Sequence, residues 1–343
     1  MRVNTGRVRG IHFLGDGEIS VDQHPIPIAN GTQVVVKIGA AGICGTDRHN
    51  LMGKGQKTIP GHENAGVIVD IDKPSWLRRG DRVAINCHIT CGACEHCLRG
   101  DLYFCEQLVV PGEDIDGGFA EYLAVPERIC MPLPADITIE QGALMVDVLG
   151  TAFRAYKRAN LIPGEQIGIW GAGPIGFEVA LVAKAMGSRI AVFEPNSYRA
   201  GMIKKKIQPE LVLDPDDSDS ETELAEWTEG KGVVAAFECV GNENAAQQAI
   251  RSLKKRGKLI IVGVSHQLCI DPWNMIQKEL SIIATRNFNT HAFSEMITLI
   301  RNGLKPEGVI THRFGFSNAQ AAFTTFLSGD CGKIIFIDMD KNN

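Results

Sequence analysis

The sequence predicts an α/β protein of two domains, one β-rich and one built on a doubly wound parallel sheet. The chain has 343 residues, more than a single hydrophobic core usually serves. Short β-branched runs separated by glycine and proline dominate residues 1–150. From Glu165 to Arg286, short apolar runs alternate with amphipathic segments, which is the pattern of parallel strands covered by helices on both faces.

Four β-branched runs in the first domain predict strands. They are Gln33–Ile38, Ala65–Ile71, Asp81–Ile85 and Phe119–Val125. Farther along, Thr138 and Gln141 have the spacing of a capping box, in which each side chain bonds the other residue's backbone N–H. A helix is therefore predicted to begin there and to run unevenly to Ala159.

The second domain is predicted to alternate strands with helices. Its predicted strands are Ile167–Trp170, Arg189–Phe193, Val233–Glu238, Lys258–Val262 and Leu280–Thr285, and its predicted helices include Ile175–Met186 and Ala245–Leu253. The acidic segment Asp214–Glu223 is interpreted as a solvated loop. The tail, Ala292–Met339, is predicted to return to helices and to contain a last strand, Lys333–Ile337.

Composition and charge exclude several classes of protein. Hydrophobic residues make up 44% of the chain and charged residues 22%, as in ordinary globular proteins. A net charge of −5 gives no reason to expect a nucleic-acid partner. No segment approaches the ~20 apolar residues of a membrane helix, and Met1–Leu14 has no signal-peptide pattern. Ten cysteines without such a signal predict a reducing, cytoplasmic location.

Four cysteines form a C-x2-C-x2-C-x7-C run, and their spacing predicts a structural zinc site. The ligands are Cys91, Cys94, Cys97 and Cys105, with Gly92 available for a tight turn. Four thiolates on a short loop can close a tetrahedral shell around zinc. A disulfide cluster or an iron–sulfur site is the alternative. His96 lies inside the run but is not needed as a ligand, and the scattered Cys130, Cys239, Cys269 and Cys331 are interpreted as buried fillers.

A glycine motif predicts a dinucleotide site in the second domain. Gly171, Gly173 and Gly176 match G-x-G-x-x-G, with Pro174 and Ile175 between the last two glycines. The motif follows a predicted strand and opens a predicted helix, which is the context that a phosphate-binding turn requires. The helix N-terminus then offers free N–H groups to the phosphates. A glycine-rich turn without a ligand is the alternative.

An acidic residue at the end of the next strand favours NAD as the dinucleotide. Glu194 lies eighteen residues beyond Gly176, where a carboxylate accepts hydrogen bonds from the ribose hydroxyls and repels a 2′-phosphate. Arg199 weakens this preference, because a guanidinium can neutralise that phosphate, so NADP stays open. Other residues assigned to the cofactor site are Val240, Val262, Gly263 and Val264, the last three at the carboxyl edge of the sheet, where a nicotinamide ring would lie.

A second metal site is predicted upstream. Cys44 and His62, eighteen residues apart in the β-rich domain, offer a thiolate and an imidazole while leaving room for further ligands and for substrate. A catalytic zinc needs such an open shell. Taken alone, the two residues would more often belong to a core.

Together these blocks resemble the zinc-dependent medium-chain dehydrogenase/reductase family over nearly the whole chain. The matching blocks are G-I-C-G-T-D-x-H at residues 42–49, G-H-E-x-x-G at residues 61–66, the four-cysteine lobe and the glycine motif, in the family's order. The resemblance implies a GroES-like catalytic domain over residues 1–150, completed by residues 287–343. It places a Rossmann NAD-binding domain between them, over residues 151–286, and implies two zinc ions per chain, one catalytic and one structural.

The resemblance also assigns the catalytic metal ligands. Cys44 and His62 match the first two ligands of the family. The third is Asp147, because residues 146–152 resemble the aspartate version of the motif that supplies it. Glu63 resembles a neighbouring carboxylate that lies behind the metal or enters its shell. Asp47 resembles a residue that orients His62.

The implied reaction is reversible alcohol oxidation. In this family zinc lowers the pKa of the substrate hydroxyl, and hydride passes from the resulting alkoxide to the nicotinamide. Thr46 resembles the hydroxyl that relays the proton. His49 resembles the imidazole at the outer end of that relay, a role that suits a group with an ordinary pKa near 6.5.

Arg286 and Asn289 are the predicted substrate contacts. They belong to a stretch similar to R-Y-x-N-T of sorbitol-type dehydrogenases, with Asn287 in place of the tyrosine. An interface or hinge role for Arg286 is an equal alternative. The preferred substrate class is a polyol, sugar or cyclitol; a simple secondary alcohol, an amino-alcohol such as threonine, and formaldehyde are alternatives. The non-enzymatic alternatives are a zinc-ribbon module and a structural protein on this scaffold. The resemblance implies a homodimer or homotetramer.

Overall fold

A computed structural model describes residues 6–264 and 267–337. The first elements are β1 (Arg7–Gly15), β2 (Glu18–Pro25), β3 (Gln33–Gly42), α1 (Asp47–Met52), β4 (Glu63–Ile71), β5 (Arg82–Ile85), α2 (Glu95–Leu98), β6 (Tyr122–Pro126), β7 (Cys130–Pro132) and α3 (Ile139–Met145). The middle of the chain contains α4 (Val148–Ala159), β8 (Gln166–Trp170), α5 (Pro174–Ala185), β9 (Arg189–Phe193), α6 (Ser197–Lys206), β10 (Leu211–Leu213), α7 (Ser220–Trp227), β11 (Val233–Glu238), α8 (Glu243–Ser252), β12 (Leu253–Ile261), α9 (Pro272–Lys278) and β13 (Ser281–Ala284). The last elements are α10 (Ala292–Arg301), β14 (Ile310–Phe314), α11 (Ala319–Ser328) and β15 (Lys333–Ile337).

The chain divides into two compact units. The first contains residues 6–147, 289–293 and 310–337, and the second contains residues 148–288 and 294–309. Residues 294–309 therefore group with the second unit, although the resemblance assigns them to the catalytic domain. The reason is local packing. The Nζ of Lys206 donates to the carbonyl of Gly308 at 2.5 Å, and the turn around Gly308 lies against the ring of Phe177 on α5.

The first unit is built on a seven-stranded sheet in the order β14-β15-β3-β4-β5-β7, with β6 also paired to β3. Strand β3 is central because it is almost continuously apolar, and Val34, Val35, Val36 and Ile38 are each at most 1% exposed. It pairs antiparallel with β4 on one side and with β6 and β15 on the other. The last strand of the chain is thereby held beside the strand that precedes Cys44.

A cluster of aromatic rings fixes the C-terminal segment to this sheet. Phe323 on α11 packs edge-on against Phe13 and Phe119, with ring centroids 5.2 and 5.9 Å apart. Phe336 on β15 lies 5.3 Å from the ring of Phe119. Burying an aromatic side chain contributes about 2–3 kcal/mol, so the aromatic residues of the tail anchor it to the N-terminal sheet.

The second unit is a six-stranded sheet in the order β10-β9-β8-β11-β12-β13, and every neighbouring pair is parallel. The order reverses between β8 and β11, which is the switch point at which doubly wound sheets bind ligands. The predicted α/β class and the doubly wound sheet are confirmed.

The predicted helix from Thr138 to Ala159 is two helices. The capping box at Thr138 and Gln141 is present, with bonds of 2.9 and 3.1 Å. Helix α3 then ends at Met145, and α4 begins at Val148. Residues 146 and 147 form the turn between them, so Asp147 lies at a break in the helix.

Two smaller expectations were wrong. The acidic segment is a loop only as far as Asp219, because Ser220 begins α7, where buried Leu224 packs into the core of the second unit. Glu221 and Glu223 lie in the first turn of α7, a position that the helix dipole favours for acidic residues. Cys269 is exposed rather than a buried filler, and Cys239 is only half-buried, whereas Cys130 and Cys331 are buried.

None of the helices in the described part of the chain has the length and apolarity of a membrane span.

Candidate metal centres and cofactor site

Four side chains of the first unit converge on one point. Cys44, His62, Glu63 and Asp147 each place a potential ligand atom within 4.8 Å of the others. The Oδ2 of Asp147 lies 3.4 Å from the Sγ of Cys44 and 3.6 Å from the Nε2 of His62. One thiol, one imidazole and two carboxyl groups therefore face a common centre.

Three ends of secondary structure produce this convergence. Strand β3 ends at Gly42, two residues before Cys44, and β4 begins at Glu63, directly after His62. Gly42 and Glu63 are partners across these strands. The break between α3 and α4 supplies Asp147. Because each donor lies at the end of an element, its side chain can turn toward the centre without interrupting a helix or the sheet.

A buried lysine that the motif analysis did not single out belongs to this centre. The Nζ of Lys333, the first residue of β15, donates to the Oε1 of Glu63 at 2.5 Å, and Lys333 is 1% exposed. The other carboxylate oxygen, Oε2, is buried and has no hydrogen-bond partner among the described residues. It would lie 2.2 Å from a Cβ on residue 42. Glycine at position 42 therefore leaves the space that Glu63 occupies.

The donors perturb one another's proton equilibria. Burial and the Asp147 carboxylate raise the pKa of the Cys44 thiol, and burial raises the pKa of Glu63 to about 7 against the opposing charge of Lys333. Burial disfavours the charged ring of His62, but Cys44 and Asp147 raise its pKa well above the ordinary value. Burial disfavours the ionised carboxyl of Asp147. The hydrogen bond and the charge of His62 outweigh burial and hold the pKa of this carboxyl well below its usual range. Such perturbation is typical of functional sites.

The donor set fits a divalent zinc ion. Sulfur, imidazole nitrogen and carboxylate oxygen are the ligand types that zinc takes in proteins. Ionised Cys44, Glu63 and Asp147 carry three negative charges, which Lys333 and one divalent cation would balance. The unpartnered buried oxygen of Glu63 otherwise has no compensation for its lost hydration.

The other residues expected near this centre lie on the turn that follows Cys44. The Oδ2 of Asp47 accepts a hydrogen bond from the backbone N–H of Cys44 at 2.8 Å, so it positions the cysteine. In the described structure it makes no direct bond to the ring of His62, which it was expected to orient. Thr46 and His49 are exposed, at the start of α1 and within it. The centre thus adjoins a turn that carries a hydroxyl and an imidazole open to solvent.

Replacing Lys333 by methionine is expected to lower the free energy of unfolding by about 3–5 kcal/mol, because it leaves the carboxylate of Glu63 buried without its counter-charge. Chemical denaturation of the zinc-loaded protein measures the change. Arg313→Met is the matched control, since its partner Glu140 and Arg313 itself are 28% and 40% exposed, and the expected loss is at most about 1 kcal/mol. Equal losses in the two variants would show that the buried ion pair stabilises the fold no more than the exposed one.

The four cysteines of the lobe also converge. Their sulfurs lie within 4.8 Å of one another, with Sγ–Sγ distances of 3.5 Å for Cys94–Cys97 and 3.9 Å for Cys91–Cys97. Sulfurs bound tetrahedrally at about 2.3 Å lie about 3.8 Å apart, whereas a disulfide would need about 2.0 Å. All ten cysteines are free. The lobe therefore has the geometry of a four-thiolate metal site, and the His96 ring lies instead beside Phe104 at 5.7 Å.

Backbone N–H groups surround the sulfurs of this lobe. Those of Ala93 and Cys94 donate to the Sγ of Cys91 at 3.4 and 3.3 Å and lower its pKa. Backbone donors also lower the pKa of Cys94 to about 6, while partial desolvation and the Cys94 thiol raise that of Cys97 to about 11. Donors aimed at sulfur stabilise thiolates, the form that binds metal.

The glycine motif forms a tight turn between β8 and α5 in the second unit. Gly171 has φ +92°, a conformation that favours glycine. A Cβ on Gly176 would lie 1.8 Å from the carbonyl oxygen of Gly171, so only glycine allows this contact between strand and helix. At Gly173, the N-cap of α5, the nearest atom to such a Cβ is the Nη1 of Arg199 at 3.9 Å. The open side of the turn can therefore admit a phosphate.

Glu194 and Arg199 flank this turn. The Oε2 of Glu194 accepts a bond from the N–H of Ala172 at 2.6 Å, and its Oε1 accepts one from the N–H of Asn196 at 2.9 Å. The carboxylate is thus held in place and keeps a free lone pair on each oxygen for a ribose hydroxyl. The guanidinium of Arg199 lies over Gly173. The structure therefore places beside the turn both the carboxylate predicted to favour NAD and the guanidinium predicted to tolerate a further phosphate.

A buried glutamate that the motif analysis did not assign organises the neighbouring strand ends. The Oε1 of Glu238, the last residue of β11, accepts bonds from the N–H groups of Val240 and Gly241 at 2.8 and 2.7 Å. Its carbonyl accepts two more, from Val262 and Gly263, both at 2.9 Å. Val240 and Val264 are 48% and 74% exposed. Val262, Gly263 and Val264 lie at the carboxyl edge of the sheet, as expected, and Val240 lies with them.

Replacing Gly176 by alanine is expected to weaken dinucleotide binding at least about tenfold, because the new methyl group overpacks the turn and displaces the carbonyl of Gly171. Titration with NADH, followed by fluorescence, measures the affinity. Gly201→Ala on α6 is the matched control, since a Cβ there meets nothing within 4 Å, and it should leave affinity and stability unchanged or slightly improved. Unaltered affinity in Gly176→Ala would contradict the assignment of this turn.

The two predicted substrate contacts fall in different units. Arg286 is exposed in the second unit. Asn289 belongs to the first unit, where its Nδ2 lies 3.5 Å from the Oδ1 of Asp101. Between them, Asn287 has φ +49°, a left-handed conformation that asparagine tolerates better than tyrosine. Its presence in place of the tyrosine therefore has a backbone reason.

Two family models match the chain. Residues 30–135 match the alcohol dehydrogenase GroES-like domain, and residues 174–302 match the zinc-binding dehydrogenase domain. The first segment contains Cys44, His62, Glu63 and the cysteine lobe. The second begins at Pro174, inside the glycine turn, and contains Gly176 but not Gly171 or Gly173.

Proteins of similar sequence match almost the whole chain. L-threonine 3-dehydrogenase of Coxiella burnetii (strain RSA 493 / Nine Mile phase I) is 33% identical over an alignment of 328 residues that covers 91% of this chain and 93% of that protein. L-galactonate-5-dehydrogenase of Escherichia coli (strain K12) is 31% identical over an alignment of 313 residues that covers 89% of this chain and 91% of that protein.

Solved structures show the same fold. A short chain alcohol dehydrogenase of Escherichia coli CFT073 complexed with NADH is 26% identical, with a TM-score of 0.88 over 97% of this chain and 99% of that one. The 2R,3R-butanediol dehydrogenase of Bacillus subtilis is 25% identical, with a TM-score of 0.86 over 96% and 99% of the two chains.

Proposed function

Since the chain belongs to the zinc-dependent medium-chain dehydrogenase/reductase family, we propose that it interconverts a secondary alcohol and its ketone with NAD as the coenzyme. The preferred substrate class is a polyol, sugar or cyclitol. The observation that carries this proposal is the convergence of Cys44, His62, Glu63 and Asp147 within 4.8 Å. Zinc held by these side chains would polarise the substrate oxygen, and bound NAD would accept the hydride.

The chain's own contribution to the chemistry is proton transfer and charge balance. The hydroxyl of Thr46, two residues from Cys44, accepts the proton that leaves the substrate hydroxyl and gives its own proton to the relay that leads outward. The exposed imidazole of His49, on the first helix at the outer end of that relay, accepts a proton and releases it to solvent. Lys333 offsets the charge of Glu63 and keeps one of its oxygens occupied, which leaves Oε2 free to face the metal.

The cofactor residues act by binding and orientation. The N–H groups at the start of α5 and the open side of Gly173 receive the pyrophosphate. Glu194 bonds the ribose hydroxyls, which favours NAD over NADP. Glu238 fixes the loops that carry Val240 and Val264 at the carboxyl edge of the sheet, where the nicotinamide half is expected to bind.

The preference for a secondary alcohol rests on the relatives. The names L-threonine 3-dehydrogenase and L-galactonate-5-dehydrogenase both specify a secondary hydroxyl next to another polar substituent. Arg286 and Asn289 supply a cation and an amide that could bond such a substituent. An amino-alcohol is the second candidate, favoured by the threonine enzymes among the relatives, and formaldehyde, which has no secondary carbon, is disfavoured.

A substrate screen tests the proposal. Zinc-loaded protein and NAD⁺ are mixed with a polyol series, L-threonine, 2-butanol and a primary alcohol, and NADH is followed at 340 nm. The expected result is turnover of a secondary alcohol with an adjacent polar group, abolished by a zinc chelator. Turnover of primary alcohols alone would contradict the substrate class. Turnover unaffected by chelation would contradict the metal mechanism.

Comparison of the two coenzymes tests the role of Glu194 separately. The ratio of kcat/KM for NAD⁺ over NADP⁺ is expected to exceed about ten and to fall in Glu194→Gln, because the repulsion of the 2′-phosphate is lost.

We further propose a cytoplasmic location, since ten free cysteines suit a reducing compartment. A homodimer or homotetramer is the assembly that the family resemblance suggests.

A further inference from the structure

A groove in the second unit is lined by none of the residues assigned to the metal centres or to the cofactor. It has a volume of about 370 Å³ and lies between α7 and α8, within the range of small-molecule sites. Two contacts span it. Arg251 on α8 pairs with Glu221 on α7 at 3.0 Å, and the Nε2 of Gln248 donates to the carbonyl of Pro215 at 2.9 Å.

The groove is strongly cationic in an acidic protein. Five basic side chains line it, against the single acidic side chain of Glu221; they are Lys231, Arg251, Lys254, Lys255 and Lys278. The chain as a whole carries a net charge of −5. Glu229, which pairs with Lys231, offsets one more of these charges, so an excess of three positive charges remains. Such an excess in a concave surface concentrates field lines and attracts anions.

These cations differ in their existing partners. Arg251 pairs with Glu221, and Lys231 pairs with Glu229 at 2.6 Å. The Nζ of Lys278 is held by the carbonyls of Arg251 and Leu253 at 3.2 and 2.9 Å. Lys254 and Lys255 have no ion pair within the described portion of the chain. Lys278 is therefore a fixed ammonium group, and Lys254 and Lys255 are available to a ligand.

The wall of the groove includes apolar side chains. Phe193, Leu224 and Leu253 line it and are 4%, 6% and 2% exposed. At these exposures the three side chains close the floor of the groove beneath its polar rim. A ligand can therefore rest an apolar body against this floor and place an anionic group among the lysines.

The cationic end of the groove lies far from the nucleotide turn along the sheet. Leu253 and Gly232 lie at the amino ends of β12 and β11, whereas the turn at Gly171 follows the carboxyl end of β8, parallel to them. None of the residues assigned to the cofactor lines the groove. We propose that this groove is a second ligand site, which binds an organic anion with an apolar or aromatic body and a sulfonate, phosphate or carboxylate group.

The probe for this site is 1-anilinonaphthalene-8-sulfonate, an aromatic sulfonate whose fluorescence rises on binding. The protein is titrated in the presence of saturating NAD⁺, so that the cofactor site is occupied. Lys254→Glu/Lys255→Glu is expected to weaken probe binding at least tenfold. Ala225→Trp, at an exposed position that lines the groove, is expected to do the same without changing charge, since the indole fills the space.

The matched control is Lys204→Glu/Lys205→Glu, which reverses two exposed lysines on α6 and is expected to change affinity less than twofold. Thermal unfolding verifies that all variants remain folded. Equal loss in the two lysine variants would overturn the proposal, because binding would then reflect net charge. Unchanged affinity in Ala225→Trp, or full displacement of the probe from wild-type protein by NAD⁺, would also overturn it.

Discussion

Replacing Asp147 by asparagine is expected to reduce bound zinc from two ions per chain to one and to lower turnover about a thousandfold. The side chain lies 3.4 Å from the Sγ of Cys44 and 3.6 Å from the Nε2 of His62, so it shares their centre. Asparagine keeps the size of aspartate but removes the charge that helps to balance a divalent cation. Loss of a metal that polarises the substrate oxygen removes several kcal/mol of transition-state stabilisation.

Atomic emission for zinc and steady-state kinetics measure these effects. The affinity for NADH should stay within about twofold, because the glycine turn belongs to the other unit. Asp114→Asn is the matched control, an exposed aspartate of the same unit, and should keep both zinc ions and full turnover. Two zinc ions and normal turnover in Asp147→Asn would refute the assignment of Asp147 as a ligand.

Replacing Cys94 by serine is expected to lower the thermal midpoint by about 10 °C or more while acting on stability rather than on chemistry. The sulfur of Cys94 lies 3.5 Å from that of Cys97, and a structural zinc contributes its binding energy to folding. For a domain of about 150–250 residues, each kcal/mol corresponds to about 2–4 °C. Any protein that remains folded should retain turnover per catalytic zinc.

Cys269→Ser is the control for this prediction, because Cys269 is an exposed free cysteine outside both clusters. Its thermal midpoint should match that of the wild type. Treatment with a chelator should lower the midpoint of the wild type and of Cys269→Ser but have little further effect on Cys94→Ser. A Cys94→Ser protein of normal stability that lacks only turnover would contradict a structural role for the lobe.

Local motifs were predictable because their chemistry lies within a few residues. The cysteine run at residues 91–105 and the glycine turn at residues 171–176 carry their function in their spacing, and the structure brings together the residues that each motif names. The family relationship and the doubly wound sheet, both predicted from these motifs and from strand–helix alternation, were confirmed. Several strands were missed. β10 has three residues, too few to show a periodic pattern, whereas β1 and β2 have nine and eight residues and form a two-stranded sheet of their own.

Contacts between distant residues were not predictable in the same way. Lys333 and Glu63 are 270 positions apart, and nothing near either residue indicates the other. Their contact depends on β15 pairing with β3 and on β3 pairing with β4. A signal was nonetheless present at Gly42, since glycine there leaves the space that the carboxylate of Glu63 fills.

The order of residues alone predicted the two-domain α/β class, the cysteine lobe, the nucleotide turn, and Cys44 and His62 as candidate ligands. Tertiary structure alone decided the break that presents Asp147, the pairing of Lys333 with Glu63, and the cationic groove between α7 and α8. The physical reason is the range of the forces involved. Turn geometry and ligand spacing depend on neighbouring residues, whereas buried charge pairs and grooves depend on which strands and helices pack together.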